Sequence, residues 1–231
     1  MIFKLENIVP WGRSFDEYKK MFSLQEEDLN LPIIDCGGGP SSFNVEMFDL
    51  GNKVISCDPI YQFTTAEINN RITEISPIMI QGLKTNYHNF VWQYIKTPEE
   101  LKEKRLSAMQ LFLADLERGL KQGRYLVRAL PNLNFTRGKF GLALCSHLLF
   151  TYSEQLSYEF HLQAIKEMCH VAEEARIFPL LENFTGEISP HLEPIIKELQ
   201  SNGYRANVVF VDYEFQKNGN QMLVVDRDFD R

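Results

Sequence analysis

Two carboxylates stand at the ends of short apolar runs. Leu31-Pro32-Ile33-Ile34 leads into Asp35, then through Cys36 into Gly37-Gly38-Gly39, and Lys53-Val54-Ile55-Ser56-Cys57 leads into Asp58-Pro59. Glycine lets the backbone turn sharply and lets a ligand approach without meeting a Cβ. After a strand, such a turn opens a helix whose first N–H groups face whatever is bound. An acid at the end of the neighbouring parallel strand lies close to that turn, where it can accept hydrogen bonds from ribose hydroxyls. The two runs together read as a site for a nucleotide-bearing cofactor. A third candidate group is His147, after Ser146 at the end of the run Phe140-Gly141-Leu142-Ala143-Leu144-Cys145. There, at the carboxyl end of a strand, an imidazole that titrates near neutrality is a candidate base.

The elements that must position these groups follow from pattern. Ser14 with Glu17 three residues later is a capping box, and Phe15, Tyr18, Met21 and Phe22 share one face of the helix it opens. A helix from about Ser41 to Leu50 should follow the glycine turn and stop at Gly51. The stretch from Pro59 to about Gly123 is long for a crossover. Its apolar residues recur at helical spacing, with a break expected at Pro77, an aromatic-rich piece carrying Tyr87, Phe90, Trp92 and Tyr94, and a long helix restarting at Pro98. A strand near Arg124–Leu130, a strand ending at Ser146, a helix over Glu159–Glu174 and a strand over Arg176–Leu181 come next. A helix over Pro190–Asn202, a strand over Asn207–Phe215, an Asn218-Gly219 hairpin turn and a last strand over Gln221–Val225 complete the chain.

The glycine turn separates two cofactor classes. The dinucleotide fingerprint needs glycines at its first, third and sixth positions; Gly37 and Gly39 fit, but Ser42 stands at the sixth. The acid-x-Gly-x-Gly of Asp35, Gly37 and Gly39, with Asp58 ending the second strand, resembles motif I and the ribose-binding acid of the class I S-adenosylmethionine (SAM) methyltransferases. The run Leu130-Pro131, Phe135, Phe140-x-Leu142-x-Leu144-Cys145-Ser146-His147 is similar to that of the ubiquinone-biosynthesis methyltransferases in the same class. The terminal antiparallel hairpin fits too.

The resemblance implies an α/β fold: a Rossmann-like, seven-stranded, mostly parallel sheet with helices on both faces, a C-terminal antiparallel hairpin and a helical insertion after the second strand. It covers one domain over 1–231, with an N-terminal helical segment over 1–30 and the insertion over 60–122 as a possible substrate lid. It implies a SAM-dependent methyltransferase acting on a small-molecule or protein acceptor. Asp35 would bind the cofactor's amino group directly or through water, the Gly37, Gly38 and Gly39 backbone its methionine end, and Asp58 with Pro59 its ribose. Ser146 would complete the cofactor site, and His147 would be the base if the acceptor must lose a proton. Arg13, Tyr18, Tyr87, Trp92 and Tyr152 are the candidates to meet the substrate. The family usually has an acid just before the Leu-Pro pair to hold adenine, whereas Leu126, Val127 and Arg128 stand here. Either backbone groups around Ala129 and Leu130 hold that ring, or another acid such as Asp115 reaches in. The alternatives carried are a nicotinamide-dependent oxidoreductase and a methyltransferase-like binding module without activity.

Composition sets further bounds. A formal net charge of −7 argues against a sequence-blind grip on nucleic acid, which needs a basic surface. Cys36, Cys57, Cys145 and Cys169 form no Cys-x-x-Cys pair, and the histidines show no ligand spacing, so no metal site is expected. Buried free thiols suit a reducing compartment. Met1–Glu6 has no long apolar core and no stretch reaches the length of a membrane span. A cytoplasmic protein is the expectation.

Overall fold

The Ser14-x-x-Glu17 pattern closes as a capping box in the computed structural model, which describes residues 8–227. The Ser14 hydroxyl accepts from the Glu17 N–H, the Glu17 carboxylate accepts from the Ser14 N–H, and α1 (Phe15–Met21) begins there. The short α2 (Glu26–Leu29) leads to β1 (Ile33–Cys36). The expectations for Met1–Glu6 and for the first seven residues of the N-terminal segment lie outside the described residues.

β1 pairs in parallel with β2 (Val54–Cys57) on one side and β4 (Phe140–Ser146) on the other. A central parallel strand is buried on both faces, which is why these runs are apolar throughout instead of alternating. Successive side chains still face opposite ways. Ile33 packs with Tyr18, Phe22, Phe43 and Met47 beside α1 and α3 (Phe43–Asp49). Ile34 packs with Ile165, Met168, Ile195 and Leu199 from α6 (Tyr158–Val171) and α7 (Leu192–Ser201). Helices therefore cover both faces. The insertion supplies α4 (Thr65–Thr85) and α5 (Pro98–Lys121), which share an apolar cluster of their own with Tyr61 and Tyr125.

With β3 (Tyr125–Leu126), β5 (Ala172–Phe178), β6 (Tyr204–Phe210) and β7 (Gln221–Arg227), the sheet order is β3-β2-β1-β4-β5-β7-β6. Only β7 runs against its neighbours. This order with one reversed strand is the class I methyltransferase fold, as the resemblance implied.

Several boundaries differ from expectation. Pro77 does not break its helix; α4 runs through it. A proline inside a helix costs about 3 kcal/mol, but Ile68, Ile72 and Ile75 before it and Met79 and Leu83 after it are all buried on the insertion's core, and that burial outweighs the lost hydrogen bond. The strand expected over Arg124–Leu130 pairs only at Tyr125 and Leu126. α6 stops at Val171, and β5 begins at once at Ala172 instead of Arg176, pairing with β4 from Phe140 onward. β6 ends at Phe210, so residues 211–220 form a longer connection than a two-residue hairpin turn. Within it, Asn218 (φ 63°) and Gly219 close a local turn, the Gly219 N–H donating to the Gln216 carbonyl at 2.8 Å. This connection reaches the insertion: the Val91 N–H donates to the Phe215 carbonyl at 2.7 Å and the Lys217 N–H to the Asn89 carbonyl at 2.9 Å.

Candidate functional site

β1 and β2 run side by side in register, Cys36 opposite Cys57, so the glycine turn and Asp58 emerge together at the carboxyl end of the sheet. Gly37 (φ +70°) and Gly39 (φ +54°) take left-handed conformations that only glycine adopts freely. Asp58 is joined to the turn. One carboxylate oxygen accepts from the Gly39 N–H at 3.0 Å and the other from the Ile60 N–H at 2.8 Å, capping the short 3₁₀ helix Pro59–Gln62. The Tyr61 hydroxyl donates to the Gly39 carbonyl at 2.9 Å. Burial raises the pKa of Asp58, and the two backbone N–H groups hold the rise in check.

Asp35 lies beneath the turn. A Cβ on Gly38 would stand 2.3 Å from its Oδ2, so Gly38 is where backbone crosses directly over the acid. Asp35 is 1% exposed and accepts from the Tyr18 hydroxyl at 3.1 Å and the Ser56 hydroxyl at 3.0 Å. Burial pushes its pKa up to about 7 against those two hydrogen bonds. A carboxyl raised in the folded state contributes stability fully present below its unfolded pKa near 4, and that stability is lost as pH rises through 7. Asp35→Asn fixes the neutral form. The variant is expected to gain stability over the parent at pH 8 and to lose that advantage toward pH 4. Urea denaturation across this range checks it; a variant less stable at pH 8 than at pH 5, relative to parent, contradicts the burial reading.

A cavity of about 240 Å³ opens above the turn. Gly37, Gly38, Gly39, Asp58, Pro59, Ser146, His147, Arg13 and Tyr18 all border it, bringing nine of the expected site residues together. Its other wall is a strap over residues 8–13, of which only Arg13 was expected at the site. The Arg13 carbonyl accepts from the Ser42 N–H at 3.1 Å and the Ser41 hydroxyl at 2.8 Å, tying the strap across the turn. Tyr152 supports the strap from behind, its hydroxyl accepting from the Val9 N–H at 3.2 Å; it does not border the cavity. Ile60 and the exposed Phe63 form an apolar wall beside Asp58.

Other expected residues lie elsewhere, Asp35 among them: it is off the cavity wall, and both its oxygens are engaged by the Tyr18 and Ser56 hydroxyls instead of facing a cofactor's amino group. Ala129 and Leu130 are off the cavity wall: Ala129 accepts from the Asn132 N–H and Leu130 packs in the sheet core. Asp115 does not reach in. Its carboxylate is held by Arg124 at 2.7 Å, Arg118 at 2.6 Å and the Tyr125 hydroxyl at 3.2 Å, so its hydrogen-bonding capacity is spent in an ion-pair network beside β3. Tyr87 and Trp92 stack on each other at 4.7 Å between ring centroids and border neither this cavity nor the one behind it.

His147 sits between two cavities. Its backbone is left-handed (φ 52°), its N–H donates to the Phe178 carbonyl at 2.7 Å, and its Nδ1 is 2.9 Å from the Ser146 hydroxyl. Burial, with Arg13 and Arg105 adding to it, holds its pKa well below the ordinary value. The imidazole is therefore neutral at physiological pH and a weak proton acceptor.

The inner cavity, about 60 Å³, lies on the far side of Arg13, with Arg105 and Tyr213 in its wall. Glu17 serves twice: besides capping α1 it forms an ion pair with Arg105 and accepts from the Tyr213 hydroxyl at 2.9 Å. Arg105 was missed in the sequence, although its position carries a signal. It stands on the apolar face of α5 between Leu101 and Phe112, where a charge has no business without a partner. Among the described residues no group of three or more His, Cys, Asp or Glu could hold a metal ion, and no helix is long and apolar enough to cross a membrane.

No family model matches the chain. An uncharacterized protein of Methanocaldococcus jannaschii is 36% identical over 224 residues, spanning 96% of this chain and 98% of its own. This chain belongs to that protein's family. Among solved structures, the pyocyanin biosynthetic protein PhzM aligns over 93% of this chain at 13% identity and TM-score 0.47, and the chain spans about half (54%) of its length. Magnesium protoporphyrin IX methyltransferase from Synechocystis, solved with bound SAM, aligns over 93% of this chain and 91% of its own at 13% identity and TM-score 0.42. The chemistry must be read from the cavities themselves.

Proposed function

We propose that the outer cavity binds SAM and that the protein transfers a methyl group to a small acceptor. The observation that carries this reading is the Asp58 carboxylate bonded to the Gly39 N–H, at adjoining strand ends of a class I methyltransferase fold. The residues fit the cofactor. A Cβ at Gly37 would meet Leu148 at 2.5 Å and one at Gly38 would meet Asp35 at 2.3 Å, so the turn packs too closely for side chains there and borders the cavity with glycine backbone. When bound, SAM supplies an activated methyl on a sulfonium. The chain supplies the rest: the glycine backbone approaches the methionine end, Asp58 keeps lone pairs free for the ribose hydroxyls, and Ile60 and Phe63 offer an apolar face to the adenine. Methyl transfer is an in-line displacement, so holding the acceptor about 3 Å from the methyl provides much of the rate. With His147 neutral and weakly basic, positioning is its better-supported contribution, unless the acceptor is itself acidic.

Calorimetric titration with S-adenosylhomocysteine tests the reading directly; a folded sample that fails to bind at millimolar ligand overturns it. Asp58→Ala should weaken binding by about 1.5–3 kcal/mol, the range for hydrogen bonds to a charged group, or roughly tenfold to a hundredfold. Because Asp58 also caps the Pro59–Gln62 helix, the variant should melt earlier as well. Normal affinity in the molecules that stay folded would take Asp58 out of the site.

A further inference from the structure

The inner cavity holds more positive charge than its own residues neutralise. Arg105 is 2% exposed, and Glu17 is the carboxylate that pairs with it. Arg13 donates to the Trp11 carbonyl and has no carboxylate within ion-pair distance among the described residues. Burial and the neighbouring Arg105 bring the Arg13 pKa down to about 10, which still leaves it charged at neutral pH. Burial keeps the Tyr213 hydroxyl protonated, and His147 is neutral. Two guanidinium cations against one carboxylate leave one positive charge. The Nε–H groups of both Arg13 and Arg105 are buried without a hydrogen-bond partner. A buried donor left unmade is costly, and a half-buried cation without a counter-charge adds to that cost. A sequence that keeps both on the wall of one cavity points to an anion that satisfies them.

The geometry narrows that anion. At 10–15 Å³ per water-sized group, about 60 Å³ admits roughly four to six such groups. That is a carboxylate and a short carbon stub. Phe90, Phe178, Phe184 and Phe215 in the wall suit the carbon part, and a planar guanidinium fork matches a carboxylate. One surplus positive charge is balanced by a monoanion, whereas a phosphate monoester dianion would reverse the sign. Trp11, Arg13 and His147 border both cavities, so the remainder of such a molecule would extend toward the outer one. We propose that the methyl acceptor is a small monocarboxylate whose carboxylate is held in the inner cavity by Arg13 and Arg105. The inference rests on the outer cavity being the SAM site. It differs from a grip on the cofactor's own carboxylate because Arg105 borders the inner cavity and not the outer.

The test uses the whole chain labelled with ¹⁵N-arginine, first titrated with S-adenosylhomocysteine and then, saturated with it, titrated at constant ionic strength with propionate, propionamide or inorganic phosphate. Propionate is expected to shift the Nε–H resonances of Arg13 and Arg105 saturably, and the neutral, nearly isosteric propionamide to leave them in place. Arg13→Gln should weaken propionate binding at least tenfold. Three results overturn the proposal: no saturable shift with propionate, displacement of S-adenosylhomocysteine by propionate, or saturable shifts with phosphate alone. Failure of the first titration is separate, since it would refute the cofactor reading before any acid is added.

Discussion

Glu17→Gln will lower the unfolding free energy by about 3–5 kcal/mol at pH 7, the cost of removing one partner of a buried ion pair. The substitution keeps the shape of the side chain and removes its charge. Arg105, 2% exposed, then faces Arg13 with no carboxylate between them, and the amide must turn its NH₂ toward either the guanidinium or the Tyr213 hydroxyl. The pH dependence has a defined sign. Arg105 and, more distantly, Arg13 hold the Glu17 pKa down at about 2 against the effect of burial. A depressed carboxylate stabilises the fold above its unfolded pKa near 4.5, and that contribution is lost as pH falls toward 2. Parent and variant should therefore differ most at neutral pH and converge between pH 4.5 and 2. Denaturant unfolding at stepped pH measures it. A difference under 1 kcal/mol at pH 7 would show that Arg105 finds its compensation elsewhere.

Gly12→Ala should be nearly as damaging, by a steric route. The added Cβ would lie 2.0 Å from the Pro40 carbonyl oxygen, 2.6 Å from its carbon and 3.0 Å from Met109 Cγ. A flexible side chain could give way, but the nearest obstacle here is backbone, fixed by the Ser41 and Ser42 bonds to the Arg13 carbonyl. Overpacking costs typically 1–3 kcal/mol, and about 3 kcal/mol is expected with two backbone segments in collision. Because the strap forms one wall of the outer cavity, affinity for S-adenosylhomocysteine should fall by roughly tenfold or more in the molecules that remain folded. A variant that melts with the parent and binds like it would mean the strap can stand off from the turn at no cost.

The parts legible in the sequence were those fixed by local chemistry. Asp35, the three glycines and Asp58 carry their meaning in a few residues each, because strand, turn and acid follow one another along the chain. The Ser14–Glu17 box was legible for the same reason. The second use of Glu17 was not, since it depends on Arg105 and Tyr213, brought in from α5 and from the β6–β7 connection. Gly12 gave no signal, as nothing near it in the chain announces a close crossing with Pro40. Asn218-Gly219 marked the connection of the expected antiparallel hairpin but not its length, because the dipeptide specifies a local turn and β6 already ends at Phe210. The Pro77 break was a local rule overruled by apolar residues at helical spacing on both sides. Tyr87 and Trp92 drew attention as aromatics in a connecting segment, yet their rings are spent on each other.

Three of the four cysteines lie in the strands that carry the turn and the two following site residues: Cys36, Cys57 and Cys145. All are buried and unpaired. Burial pushes the pKa of Cys57 and Cys145 up to about 12 and that of Cys36 well above its ordinary value. The thiolate is the nucleophile and the thiol is not. At pH 7 a pKa near 12 leaves on the order of one molecule in 10⁵ ionised. On the proposed function, an electrophile bound beyond these strand ends would find the three sulfur atoms buried in the core and in their unreactive thiol form. The same burial that packs the sheet would then spare the protein from alkylating itself.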